Sequence, residues 1–260
     1  MDYISINNLC KTFQGNDRSV PALQNINLTL SRGEFVCLLG PSGCGKSTLL
    51  NSLAGFIQPS SGEIIVNGQP VKDPGPERGV VFQEYAIFPW MTVAKNIAFG
   101  LEIKGTSAAK IRESVDTLLD TLGLREFRDR FPKDLSGGMR QRVAIARLLA
   151  IDSPVMLMDE PFGALDALTR RTLQDELLRI WHESGKTILF VTHSIEESLY
   201  LATRIVVMTY RPGTIKCNQI VTMPHPRDPS GVEFNELKRD LGLLVMEEQE
   251  RHTSDEMKAL

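Results

Sequence analysis

The 260-residue chain lacks any large charge excess: 29 Lys and Arg stand against 32 Asp and Glu, a formal net charge of -3. That slight acid balance argues against a protein that grips DNA or RNA through a basic surface, because neutralising backbone phosphates drives such binding. Long apolar runs are missing too. Phe35–Leu39, Ile188–Val191 and Ile205–Met208 extend over only four or five residues, whereas a membrane-spanning helix takes about 20. The opening residues Met1-Asp2-Tyr3-Ile4-Ser5 hold no basic stretch followed by an apolar one, so no secretory signal is expected. Cysteine is sparse: Cys10, Cys37, Cys44 and Cys217 form no CxxC pair, and no histidine is spaced to complete a zinc set. Free, buried thiols in a reducing cytosol are the expectation. No internal repeat or low-complexity tract is visible.

What is present is globular material, 42% hydrophobic and 23% charged, which excludes wholesale disorder and suffices for a sizeable core. Short β-branched runs alternate with helical patterns, the signature of an α/β fold with a substantially parallel sheet. Val155–Met158 and Ile188–Thr192 are uninterrupted apolar strands, as when helices cover both sheet faces. Ile111, Val115, Leu118, Leu119 and Leu122 fall on one helical face. A helix carrying Leu173, Leu177, Ile180 and Trp181 is expected to stop near Gly185.

Two stretches depart from the alternation. Leu23–Leu30 and Gly62–Gly68 predict a small flanking antiparallel sheet, and residues from about 92 to 150 predict an inserted helical subdomain. Residues 1–223 are expected to form the main domain. Residues 224–231 then read as a linker, and Phe234, Leu237, Leu241, Leu244 and Val245 predict an amphipathic helix within 224–260.

Three motifs carry chemistry. Gly40-Pro41-Ser42-Gly43-Cys44-Gly45-Lys46-Ser47 matches G-x-x-x-x-G-K-[ST] between a predicted strand and a helix that begins Ser47-Thr48. The glycines let the backbone curl so that successive N–H groups face a polyphosphate, and the helix adds its positive end. Lys46 would neutralise the β- and γ-phosphates and the Ser47 hydroxyl would ligate Mg²⁺. Second, the apolar run Val155–Met158 ends in Asp159-Glu160. Buried carboxylates are costly without a cation, and open α/β sheets bind ligands at strand C-terminal ends. Asp159 would hold Mg²⁺ and Glu160 would orient or deprotonate an attacking water. Third, Leu135-Ser136-Gly137-Gly138-Met139 places a serine cap and two glycines ahead of a helix. Read alone this is usually only a cap. It has no phosphate-clamping lysine and no acid for Mg²⁺, so it reads as a partial cradle that a second chain would complete.

The order Gly40–Ser47, Gln83, Leu135–Met139, Val155–Glu160, Ala164-Leu165-Asp166 and His193 resembles the ATPase subunit of an ABC transporter, from Phe13 to roughly Gly213. The resemblance implies a P-loop NTPase with a RecA-like core, a flanking antiparallel β subdomain and an inserted helical subdomain, using ATP and Mg²⁺. By position, Phe13 would stack on the adenine, with Val20 sharing that contact. Gln83 would sense the metal and the attacking water. Ser136, Gly137 and Gly138 would meet the γ-phosphate bound by an opposite subunit. Asp166 would couple two sites across a dimer, and His193 would hydrogen-bond the γ-phosphate. Met139 departs from the commonest signature, which has Gln there. With Asp73–Gln83 and Arg211-Pro212-Gly213, it resembles the nitrate, sulfonate, taurine and bicarbonate importer branch.

That resemblance implies a homodimer or a heterodimer with a homologous ATPase, permease subunits in the membrane and, indirectly, a solute-binding protein. The location implied is peripheral, on the cytoplasmic face of the cell membrane. Gln83–Trp90, aromatic and apolar, would face the permease. Two rivals are a soluble ABC-type ATPase acting on nucleic acid and a P-loop kinase. The first usually brings coiled-coil insertions or two cassettes. The second needs an acceptor site and lid in place of Leu135–Met139.

Overall fold

The computed structural model describes residues 2–15, 19–163 and 165–259, with side chains described as far as residue 254. Ala164, part of one motif above, lies outside the described residues. The chain runs β1 (Asp2–Gln14), β2 (Ser19–Ser31), β3 (Phe35–Leu39), α1 (Lys46–Ala54), β4 (Ser61–Val66), β5 (Gln69–Pro70) and β6 (Arg78–Val81). It continues through α2 (Val93–Ile103), α3 (Ala108–Thr121), α4 (Gly137–Ile151), β7 (Val155–Asp159), α5 (Ala167–Ser184) and β8 (Thr187–Thr192). It closes with α6 (Ile195–Leu201), β9 (Arg204–Met208), β10 (Ile215–Ile220) and α7 (Val232–Ala259). The residues group into two units, one up to Gly75 and from Gly185 onward, the other Pro76–Ser184.

The first unit holds an antiparallel sheet in the order β2-β1-β4-β5. One of its two inner strands, β1, was not legible in the sequence. Ile4, Ile6 and Leu9 are buried, but the register shifts between Ile6 and Leu9, so the apolar alternation breaks inside the strand. In the same unit β3 pairs in parallel with both β8 and β9, and β10 runs antiparallel to β9. Every residue of β3 and β8 is buried, which explains their continuous apolar runs. Leu39 lies opposite Thr192, so the segments after β3 and β8 leave from one sheet edge.

The segment read as a linker carries a buried cation. Arg227 is 4% exposed and donates to the carbonyls of Met223, Leu199 and Ala202. Burial pushes its guanidinium down to about 10. α7 then lays Phe234 and Leu241 into the core.

In the second unit β6 and β7 pair in parallel, with Val81 opposite Met158. Between Thr92 and Ala150 the structure contains α2, α3, α4 and two short 3-10 turns, and no strand. Thr92 caps α2 by accepting from the Lys95 amide. α5 ends at Ser184, and Gly185 follows with φ +62°, the left-handed residue that closes helices.

Candidate nucleotide site

In the first unit the chain leaves β3, turns through Gly40–Gly45 and enters α1. Gly43 and Gly45 have φ of 75° and 98°. A Cβ on Gly45 would lie 2.7 Å from Leu23 Cδ2 and 2.9 Å from the Ala22 carbonyl. Only glycine satisfies both the backbone angle and the space there. Lys46 is 5% exposed, and its ammonium donates to the carbonyls of Gly40 and Pro41, each at 2.8 Å. A buried lysine aimed at the loop's own backbone is a charge positioned at the cradle. Ser42, Gly43 and Ser47 are exposed, Thr48 is half-buried, and Pro41 is buried.

Cys44 is fully buried, so it offers the cradle its backbone and not its thiol. Burial pushes that thiol up, against the opposing pull of Lys46, which leaves it protonated and unreactive at neutral pH.

His193 follows β8 and is exposed. Its neighbours build a reciprocal cap around it. Ser194 Oγ accepts from the Glu197 amide at 3.2 Å, Thr192 Oγ1 accepts from the Ser194 amide at 3.0 Å, and the Glu197 carboxylate binds Thr192 Oγ1. The turn that carries His193 is thereby fixed. Phe13 and Val20 sit opposite each other across β1 and β2, and Phe13 is 42% exposed. Lys11 Nζ lies 5.1 Å from the Phe13 ring centroid.

In the second unit β7 is buried throughout and delivers Asp159, only 6% exposed. Glu160 adopts φ +46°, a left-handed conformation that costs a non-glycine residue roughly 1–2 kcal/mol. Strain of this kind persists where the surroundings over-determine it, often at a functional carboxylate. The pairing of Val81 with Met158 places Gln83 and the Asp159-Glu160 pair at one end of the β6–β7 pair. Tyr85 and Ala86 also have positive φ.

Ser136 caps α4, its Oγ accepting from the Met139 amide at 3.3 Å. A Cβ on Gly138 would lie 3.0 Å from Leu165 Cδ2, and one on Gly137 would lie 3.2 Å from the Tyr85 hydroxyl. Side chains at either position would press on these neighbours. Asp166 caps α5, accepting from the Thr169 amide at 2.9 Å. That backbone bond, with the Thr169 hydroxyl, holds the Asp166 carboxyl below its ordinary range.

Sequence reasoning missed the residues that hold Gln83–Trp90. Asn96 is fully buried; it accepts from the Phe88 amide at 2.8 Å and donates to the carbonyls of Phe88, Met91 and Thr92. The Arg147 side chain donates to the Ala86 carbonyl and sits 4.4 Å from the Phe88 ring centroid. An asparagine at a buried helix position was the signal available. Trp90 remains 70% exposed.

Among the described residues, no three of His, Cys, Asp or Glu cluster into a metal cage. Mg²⁺ needs none, because it takes one or two protein oxygens and completes its shell with water and phosphate. The Ser47 hydroxyl and the Asp159 carboxylate are hard oxygen donors of the right kind.

A glycine cradle with a buried lysine after one parallel strand, and another strand that ends in a buried aspartate followed by a half-buried glutamate, are the marks of the P-loop class of nucleoside triphosphatases. The ABC transporter family pattern matches residues 23–163. The taurine import ATP-binding protein of Roseobacter denitrificans is 53% identical over 216 residues, covering 83% of this chain and 81% of its own. The nitrate import ATP-binding protein of a Synechocystis strain is 45% identical over 238 residues, covering 92% and 90%. A dimeric ATP-binding cassette in a post-hydrolysis state, bound to ADP and Pi, superposes with a TM-score of 0.78 at 32% identity, covering 85% of this chain and all of that one. The chain belongs to the ABC transporter family and is one of its ATPase subunits, with ATP and Mg²⁺ as cofactors. Among the described residues no helix is long and apolar enough to cross a membrane.

Proposed function

We propose that this chain supplies the ATP-driven stroke for import of a small anionic or zwitterionic solute of the taurine and nitrate type. Two copies, or one copy and a homologous subunit, sandwich ATP at the cytoplasmic face of the membrane and work on a permease, with a solute-binding protein upstream. The relatives' names support the solute class. A dimeric neighbour bound to ADP and Pi supports the pairing.

Motif chemistry supports the roles given to Gly40–Thr48, Asp159 and Glu160, and the family resemblance supports those of Phe13, Val20, Gln83, Ser136, Gly137, Gly138, Asp166 and His193. The curled amides of Gly40–Gly45 and the start of α1 bind the phosphates, and Lys46 neutralises their charge. Ser47 and Asp159 hold Mg²⁺, which supplies charge neutralisation and orientation of the phosphates when bound. Glu160 takes a proton from the attacking water, Gln83 orients that water, and His193 donates to the γ-phosphate. Phe13 and Val20 receive the adenine. Ser136 and the Gly137 and Gly138 amides of one chain stabilise the γ-phosphate charge on the other, and Asp166 joins the two centres.

The observation that carries the reading is the buried Lys46 folded over its own loop carbonyls. Proteoliposomes containing this chain, the permease and a solute-binding protein test the coupling. Uptake of taurine or nitrate that requires ATP inside and stops in Lys46→Ala supports it. Uptake indifferent to that substitution would overturn it.

A further inference from the structure

The turn between β9 and β10 was read only as part of a branch resemblance, yet it lies directly behind the phosphate loop. Arg211 Nε donates to the Gly43 carbonyl at 3.1 Å. Gly213 backs the next peptide: a Cβ there would sit 2.1 Å from the Cys44 carbonyl oxygen, so only glycine allows this approach. Gly213 is itself locked to β2, donating to the Ala22 carbonyl at 2.9 Å and accepting from the Gln24 amide at 3.0 Å. Thr209 Oγ1 closes the turn, donating to the Pro212 carbonyl at 3.0 Å and accepting from the Thr214 amide at 2.9 Å.

The same turn is tied to α7 by a buried acid. Glu248 is completely buried. Its carboxylate accepts from the Tyr210 amide at 2.9 Å and from Lys216 Nζ at 2.7 Å, and Arg251 approaches it at 3.1 Å. Glu248 falls on the stripe that includes Phe234 and Leu241, where the helical period calls for an apolar residue. A charge in that place needs a reason, and its partners flank Arg211-Pro212-Gly213 on both sides.

A trans peptide is planar, so its C=O and the following N–H point in opposite directions. Fixing the Gly43 carbonyl toward Arg211 therefore fixes the Cys44 N–H on the other side of the loop, the side that curls around phosphate. We propose that Arg211 is a positioning residue for the phosphate cradle and that Glu248 of α7 anchors the turn that carries it. The C-terminal helix thus acts on nucleotide affinity from behind the site, through a carbonyl and not through the nucleotide. This inference rests on the nucleotide reading of Gly40–Thr48.

Amide orientation serves ground state and transition state alike, so its loss raises KM and spares kcat. In the full-length protein, Arg211→Ala should raise KM for Mg·ATP about five- to tenfold, the worth of one hydrogen bond from a charged donor, with kcat changed less than twofold. Arg211→Lys, which can still donate to the carbonyl, should recover most of the loss. Glu248→Gln should raise KM about two- to threefold, and adding it to Arg211→Ala should cost less than the two effects combined. Arg211 is exposed, so its replacement leaves the core intact, and equal melting temperatures would verify this. Binding of a fluorescent ATP analogue separates two failures. If the parent protein binds the analogue and needs Lys46 to do so, while Arg211→Ala matches the parent, this proposal falls and the nucleotide reading stands. A fall in kcat with KM unchanged, or no rescue by lysine, would also overturn it. A parent protein that bound no analogue would remove the nucleotide reading itself.

Discussion

The glycine-bordered starts of α1 and α4 differ, and the proposed mechanism rests on that difference. α1 follows Gly45 and brings Lys46, a buried ammonium bonded to two carbonyls of its own loop. α4 follows Ser136, whose exposed hydroxyl caps the Met139 amide. Both present backbone N–H groups and the positive end of a helix. The first also carries a full positive charge and is closed in from behind by Leu23, Ala22 and Gly213. The second brings no such lysine among the described residues, and side chains on its glycines would press on Leu165 and Tyr85. A helix start with a lysine can hold a polyphosphate within one chain. A helix start with only a serine and glycine amides can finish a site but not found one.

Substitutions sharpen or break this contrast. The largest effect belongs to neither helix. Glu160→Gln should slow hydrolysis about 10²- to 10⁴-fold, the usual worth of a general base, while equilibrium binding of ATP persists. Unchanged single-turnover hydrolysis would remove Glu160 from that role. At α1, Lys46→Ala should weaken ATP binding about 10- to 100-fold through lost charge-assisted bonds; titration calorimetry finding parental affinity would erase the distinction between the two helix starts. At α4, Ser136→Ala should leave binding of ATP to the single chain intact, lower stability by about 1 kcal/mol through the lost cap, and reduce turnover in the dimer. Loss of ATP affinity in that variant at high dilution would make α4 a primary site.

The smallest effect is a pH dependence. Burial pushes Glu248 up, but the Lys216 hydrogen bond, the Tyr210 amide and the Lys216 and Arg251 charges outweigh it and hold the carboxyl below its ordinary range. A depressed carboxyl stabilises the fold above the ordinary glutamate range and loses that contribution as pH falls through its folded value. The melting temperature should therefore drop between neutral pH and pH about 4 by slightly more in the parent than in Glu248→Gln. Equal drops would mean that the carboxylate contributes nothing there.

Much of this was legible because the chemistry is local in sequence. The phosphate loop lies within Gly40–Thr48, and the fully buried strands β3, β7 and β8 announce themselves as apolar runs. Ser136, Gly137 and Gly138 stand at a helix start that their own residue types specify. What escaped depends on long-range partners. β1 hid because an irregularity near Asn8 breaks its alternation. Arg147 holds Ala86 from 61 residues away, and Asn96, though only eight residues from Phe88, shows its role only once its helix position is seen to be buried. Glu248 stands 32 residues from Lys216, and Arg211 stands 168 from Gly43. A lone charged residue is silent until the fold shows what faces it.

The central claim, that one chain holds only part of the active centre, is tested most directly by ATPase activity per chain across protein concentrations from nanomolar to micromolar. The account predicts a specific activity that is near zero at high dilution, climbs with concentration and levels off as pairs form, with Ser136→Ala flattening the climb. A specific activity that is high and constant down to the lowest concentration, in a protein that stays monomeric with Mg·ATP, would contradict it.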